Sequence, residues 1–171
     1  MDSDNIIFEE FENSGTVGQL CRFSVSGRRY IAMFACDSAL QEVFVGQFDI
    51  PAQTMQEKSC YNIKFFGEDH WEALKKKENV DLYATPNDGI AFTPQDIRRL
   101  ERQLLFIIGM HNRRYKPDIY YFIPETKPLA RMYIRMYNKQ EGIVTQFKSI
   151  YLDHTEFFIF ERHTGVHDEP D

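Results

Sequence analysis

The chain has 171 residues, 43% hydrophobic and 15% aromatic, which is enough to bury a core and too apolar to stay disordered. Its formal net charge is −6, which argues against a protein that coats nucleic acid without specificity. No run approaches the roughly 18 apolar residues of a membrane span. The acidic start MDSDNIIFEEFENSG lacks the basic and apolar regions of a secretory signal. The expectation is a cytoplasmic protein with one α+β domain over 1–162 and a polar, flexible tail over 163–171.

In chain order, VGQLCRFSVS (17–26) and RYIAMFAC (29–36) read as a β-hairpin. Gly27-Arg28 as a two-residue type II′ turn would set Val25 opposite Tyr30, Phe23 opposite Ala32 and Cys21 opposite Phe34. Ile31 and Met33 make the second strand apolar on its other face too, as a central strand requires. EVFVGQFDI (42–50) and SCYNIKFF (59–66) follow as strands, with Tyr61, Ile63 and Phe65 alternating. Trp71 and Leu74 anchor a short helical turn whose lysines, Lys75 to Lys77, face water, and His70 beside Asp69 is expected in solvent. Pro86-Asn87-Asp88-Gly89 is a turn signal.

The strongest helix signal is FTPQDIRRLERQLLFIIGMHNRRY. Thr93 suits the N-cap, Pro94 the first helical position and Asp96 the positive end of the dipole. Ile97, Leu100, Leu104, Ile107 and Ile108 form the inward stripe. Leu105 and Phe106 widen it, so the second half is expected to be buried nearly all round, with His111 packed at its edge. DIYYFIP (118–124) is a short strand. TKPLARMYIRMYNK (126–139) is a second helix, with Leu129, Met132, Tyr133, Met136 and Tyr137 on one face. VTQFKSIYLD and TEFFIFER close the chain as strands around Asp153-His154. The order is N-terminal antiparallel strands, then helix–strand–helix–strand–strand, an α+β fold or an α/β fold with a mixed sheet.

Chemistry is less legible. Phosphate loops of the GxxxxGK[ST] or GxGxxG kind and the nucleophile motif GxSxG do not occur. Cys21, Cys36 and Cys60 lie in apolar strand-like runs without a CxxC pair and read as buried free thiols. His163 and His167 are four apart in a polar, glycine-containing tail, which does not make a metal site. Neighbouring carboxylates such as Glu9-Glu10 and Glu68-Asp69 do not define an acid–base pair.

Positive charge is concentrated. Residues 96–139 carry ten basic and four acidic side chains, a surplus of +6 that leaves −12 on the remainder of a chain whose net charge is −6. Lys127, Arg131 and Arg135 run along one helix at i, i+4, i+8, and Arg98 and Arg102 repeat the spacing on the other. These five are the candidate binding residues. They can serve as an ordinary solvated face, a match for the protein's own acidic strands, a contact for a protein partner or, with Tyr120, Tyr121, Tyr133 and Tyr137 for stacking, a nucleic-acid site.

The order strands–helix–strand–helix–two strands over residues 90–162 resembles the C-terminal half of GNAT-type N-acyltransferases. DIYYFIPETKPLARMYIRMYNKQEG is similar to that family's strand followed by an Asn-x-x-Ala-x-x-aromatic helix and a Gly-Phe. The resemblance implies acetyl-CoA as cofactor and Tyr133 as the acid that protonates the leaving thiolate. Arg98, Arg99 or Arg131 would lie near the cofactor phosphates. In this chain Thr126 stands at the Asn position, Tyr133 follows Ala130 by three residues instead of four, and Gly142-Ile143 replaces Gly-Phe. The helix start FTPQDIRRL has no glycine turn of the kind on which the family holds pyrophosphate. Pro94 removes an N–H there and Asp96 adds a carboxylate.

The leading expectation is a small bacterial, non-catalytic domain of regulatory, inhibitory or immunity type. It needs no cofactor and meets a protein partner, expected to be basic and to engage the acidic strands, hairpin ends and tails. A divergent acyl-CoA-dependent transferase and a nucleic-acid-binding module using residues 96–139 are the alternatives. Interaction with a membrane is not expected.

Overall fold

The computed structural model describes residues 6–13, 16–36, 59–76, 93–124, 127–139, 146–152 and 155–161. The strand expected over 42–50, the turn at 86–89, residues 126 and 142–143, the link at 153–154 and the tail from 163 lie outside them.

Among the described residues seven strands form one mixed sheet in the order β1-β2-β3-β4-β5-β7-β6. β1 (Phe8–Asn13), β2 (Thr16–Val25), β3 (Arg28–Cys36) and β4 (Cys60–Gly67) are successively antiparallel. β4 then pairs with β5 (Ile119–Phe122) in parallel, and β5 pairs antiparallel with β7 (Thr155–Glu161), which forms a hairpin with β6 (Gln146–Leu152). Among the described residues three helices, α1 (Glu68–Lys75), α2 (Pro94–Tyr115) and α3 (Lys127–Lys139), accompany the sheet in an α+β fold that begins with antiparallel strands. No helix among the described residues is long and apolar enough to cross a membrane.

Alternation along the strands sorts the side chains into two layers. Phe8, Cys21, Phe23, Val25, Tyr30, Ala32, Phe34, Ile63, Tyr120, Phe122 and Phe158 meet Leu100, Leu104, Ile107 and Ile108 of α2 and Met132, Tyr133 and Met136 of α3. Both long helices therefore cover the same face of the sheet. Each fully buried Leu, Ile, Phe or Met on it contributes about 1.5–3 kcal/mol through area removed from water. On the opposite face Leu20, Ile31 and Phe66 pack with Phe11, Met33 and Trp71 of α1. β3 is apolar on both faces because it is central, as its sequence predicts.

Four expectations are corrected. The β2–β3 turn is Ser26-Gly27, with φ of 52° and 80°, so both central residues are left-handed as a type I′ turn requires. The register is Val25↔Arg28, Phe23↔Tyr30 and Cys21↔Ala32, two residues from the one Gly27-Arg28 would set. A shift of two preserves parity, so the same side chains still face the helices. Phe106 is 38% exposed, and the second half of α2 is not buried all round. His70 is only 12% exposed by its side chain. β1 was hidden in the sequence by Glu9, Glu10 and Glu12, which mask the strand pattern of Phe8 and Phe11.

Candidate functional site

The two long helices run in the same direction. β4 and β5 are parallel, and β6 is parallel to β5 because β7 is antiparallel to both, so α2 and α3 each return the chain between parallel strands. Their seam is closed by Glu101, whose side chain is 1% exposed. One Glu101 carboxylate oxygen accepts from Arg135 Nε at 2.7 Å and Nη2 at 2.6 Å, and the other accepts from Lys139 Nζ at 2.6 Å. Burial pushes this carboxyl up, but hydrogen bonds from Lys139 and Arg135, with their charges, pull it further down, so it is held below its ordinary range. Arg135 thus belongs to an internal ion pair.

The other four candidates stand differently. Arg98 and Arg102 on α2 and Lys127 and Arg131 on α3 are exposed and make no ion pair among the described residues. Arg98 lies one turn before Glu101, and Arg131 one turn before Arg135, so in parallel helices both flank the seam.

The start of α2 is sealed by its own chain. Thr93 and Asp96 form a reciprocal capping box: Asp96 N–H donates to Thr93 Oγ1 at 3.2 Å, and Thr93 N–H donates to Asp96 Oδ2 at 3.1 Å. Ile97 N–H donates to Thr93 O at 3.1 Å, and Pro94 has no N–H. Of the first four helical amides, that of Gln95 alone has no acceptor among the described residues. Ser26 Oγ donates to the other Asp96 oxygen, which ties the hairpin turn to the helix. Hydrogen bonds from Ser26 and Thr93 pull the Asp96 carboxyl down to about 2, so it is ionised at neutral pH.

Tyr133 sits in the core at 4% exposure, with ring centroids 4.4 Å from Phe122, 6.3 Å from Phe65 and 6.5 Å from Phe158. The β4–β5 pairing near it is short. Asp118 Oδ2 accepts from Ser59 N–H at 2.9 Å and Ser59 O–H at 3.1 Å, fastening the starts of β4 and β5. Their pairing ends at Asn62↔Tyr121, one residue before β5 itself ends at Phe122, while β4 continues to Gly67.

Sequence reasoning missed a polar chain through the core. His111 is fully buried, with Nδ1 2.7 Å from Tyr120 Oη and Nε2 3.0 Å from Gln19 Oε1. Gln19 Nε2 donates to Glu10 Oε2 at 2.7 Å, which turns its carbonyl oxygen toward the histidine. His111 must then donate from Nε2 and accept the Tyr120 hydroxyl at Nδ1, a neutral tautomer. Burial pushes the imidazole from its ordinary 6.5 to about 3, which agrees. Tyr115 O–H ends the chain on Glu10 Oε1 at 3.0 Å. The missed signal is parity: Gln19 falls on the inward alternation of β2 with Cys21 and Phe23, and Glu101 on the stripe edge with Ile97 and Leu104.

The acidic side chains of β1 are largely engaged at home. Glu9 pairs with Arg22, Glu10 with Gln19 and Tyr115, and Glu68 takes Arg22 Nε and Arg29 Nε, each at 3.0 Å. Cys21 and Cys60 are buried and Cys36 half-buried, all as free thiols, and burial raises Cys21 to about 11. Among the described residues no cluster of His, Cys, Asp and Glu is placed to hold a metal. A scan against protein-family models finds no match, and a search of the curated proteins finds none either.

Proposed function

We propose that the chain is a binding domain of regulatory, inhibitory or immunity type and acts by contact with another protein. The observation that carries this reading is the sealed start of α2. A nucleotide-bearing cofactor held there would need free amides and a positive field. Thr93 and Asp96 occupy those amides, and an ionised Asp96 sets a negative charge where phosphate would go. Binding without chemistry asks only for a surface, and α2 and α3 supply one. Acetyl-CoA at millimolar concentration is expected to leave the melting temperature unchanged, whereas affinity capture from the native host should retain a stable partner. A stabilisation by several degrees with acetyl-CoA would overturn the reading.

A second reading is favoured by one observation, the position of Tyr133 against Phe122 at the carboxyl end of the short parallel pair β4–β5. Ligands in sheets of this kind enter beyond the carboxyl ends of parallel strands. A divergent acyl-CoA-dependent transferase of the GNAT-like kind would place its acyl arm there, with Tyr133 as the acid. It predicts acetyl-CoA-dependent acylation of an amine that Tyr133→Phe abolishes while the fold is kept. Absence of acylation in both proteins, or equal activity in both, removes Tyr133 from that role.

A further inference from the structure

Resting on the binding-domain reading, we infer that the outer face of α2 and α3 is the docking surface, and that its occupant is an acidic, amphipathic segment of a partner protein. Arg98 and Arg102 are one turn apart on α2, and Lys127 and Arg131 one turn apart on α3, about 6 Å in each case at 1.5 Å per residue. The helices lie side by side in the same direction, at the ~8–10 Å spacing of packed helices. The four cations are exposed and make no ion pair among the described residues. The carboxylate in the seam, Glu101, is already enclosed by Arg135 and Lys139. The face is therefore a surplus of positive charge, held on rigid elements, in a chain whose net charge is −6.

Apolar anchors share the same stripes. Phe106 continues the Arg98–Arg102 spacing and is 38% exposed, and Ile134 follows Arg131 by one turn and is 39% exposed. Basic residues beside isolated exposed apolar ones fit a segment that presents carboxylates on one helical turn and an apolar side chain on the next. They fit a polyphosphate chain less well, because Phe106 and Ile134 offer a phosphate nothing. A second copy of this chain is a poor occupant, since the Glu9 and Glu10 carboxylates on its edge strand are bound to Arg22, Gln19 and Tyr115. The partner expected from sequence was basic, meeting the acidic strands, hairpin ends and tails; the open cations of the helices offer a surface for a partner of the opposite sign.

The test uses the full chain and three fluorescent probes: a synthetic amphipathic peptide with glutamates one turn apart and leucines between them, the same peptide with glutamine for glutamate, and an oligonucleotide of similar length. Anisotropy at low salt should show the glutamate peptide bound and the glutamine peptide not. Arg98→Glu/Arg131→Glu should weaken the glutamate peptide by about tenfold or more, Arg98→Gln/Arg131→Gln by less, and added salt should weaken it too. Far-UV circular dichroism establishes that each variant is folded. The inference falls if the glutamate peptide does not bind, if it binds the double variants as tightly as the parent, or if the oligonucleotide binds more tightly through the same arginines. It also falls if the parent is a dimer that the reversal dissociates. Capture of a host partner at full yield by the Arg98→Glu/Arg131→Glu variant removes this surface and leaves the binding-domain reading standing. Stabilisation by acetyl-CoA removes that reading itself.

Discussion

The imidazole of His111 lies flat on the ring of Phe34, with centroids 3.8 Å apart and planes within 7°. The stack joins α2 to the centre of the sheet, and the hydrogen bonds to Tyr120 and Gln19 fix the ring's rotation and tautomer. A histidine whose pKa is lower folded than unfolded binds fewer protons in the folded state. Its contribution is complete above about pH 6.5 and erodes as pH falls toward about 3, at a slope near 1.4 kcal/mol per unit. His111→Phe keeps a ring on Phe34 but removes the hydrogen bonds that the imidazole makes with Tyr120 and Gln19. It should cost about 2 kcal/mol at neutral pH. Urea titrations of both proteins at neutral and mildly acidic pH should show the gap narrowing with acid, because the variant has no buried imidazole to charge. A constant gap would mean that folding leaves the pKa of the imidazole where it is in the unfolded chain, so that burial does not depress it.

Much of this architecture is written in the sequence, and what is missing has physical reasons. The cap of α2 is local chemistry, so Thr93, Pro94 and Asp96 announce it within four residues. The centrality of β3 is also legible, since Ile31 and Met33 on one face and Tyr30, Ala32 and Phe34 on the other leave no solvent side. The hairpin register was not, because Ser-Gly and Gly-Arg are both plausible turn pairs and only the backbone reveals positive φ at Ser26 as well as Gly27. Helical periodicity marks the inner face of α2 well. It cannot say that nothing among the described residues covers Phe106 on the outer face. Glu101 and Gln19 escaped for a different reason. A buried polar residue is tolerable only if a distant part of the chain satisfies it, and its partners are 34 to 92 positions away for Arg135 and His111. The arginines followed the same logic in reverse: identical spacing on α3 puts Arg135 in an ion pair and Arg131 in water.

Glu101 and Arg135 should be energetically coupled. The carboxylate is buried, while Arg135 and Lys139 are each about half exposed, so water screens part of the attraction and Lys139 remains when Arg135 is removed. A double-mutant cycle with Glu101→Gln and Arg135→Gln should give a coupling of about 1 kcal/mol. Glu101→Leu should be tolerated better than Glu101→Ala, because it fills the seam and frees two cations that can reach solvent. Chemical denaturation of the parent and these variants measures all of this; a coupling indistinguishable from zero would show that the pair is not formed in solution.

The sealed helix start makes a separate forecast. Thr93→Ala removes the acceptor for Asp96 N–H and should destabilise the protein by about 1 kcal/mol. Asp96→Asn keeps the shape of the cap and removes its charge. Because hydrogen bonds from Ser26 and Thr93 hold Asp96 near 2, its contribution is present above about pH 4 and lost below it. The parent should therefore lose its advantage over Asp96→Asn as the pH is lowered through that window, read as converging melting temperatures. If the two melt alike at neutral pH, Asp96 does not hold the start of α2.

Two glycines should respond to the same substitution for unrelated reasons, and the contrast tests the hairpin register. A Cβ on Gly18 would lie 1.9 Å from the carbonyl oxygen of Phe34, a backbone atom of the neighbouring strand that cannot turn aside. Gly18→Ala must push β2 away from β3, and should cost about 2–3 kcal/mol or prevent folding. A methyl on Gly27 would meet nothing within 4 Å, but the φ of +80° there disfavours any L side chain. Gly27→Ala should cost only about 1–2 kcal/mol, and Gly27→Asn less, since asparagine visits the left-handed region more readily. The order of the three denaturation midpoints is the measurement. A Gly18→Ala protein as stable as Gly27→Asn would mean that the two strands do not meet as Gly18↔Ala35, and the register of the whole hairpin would have to be redrawn.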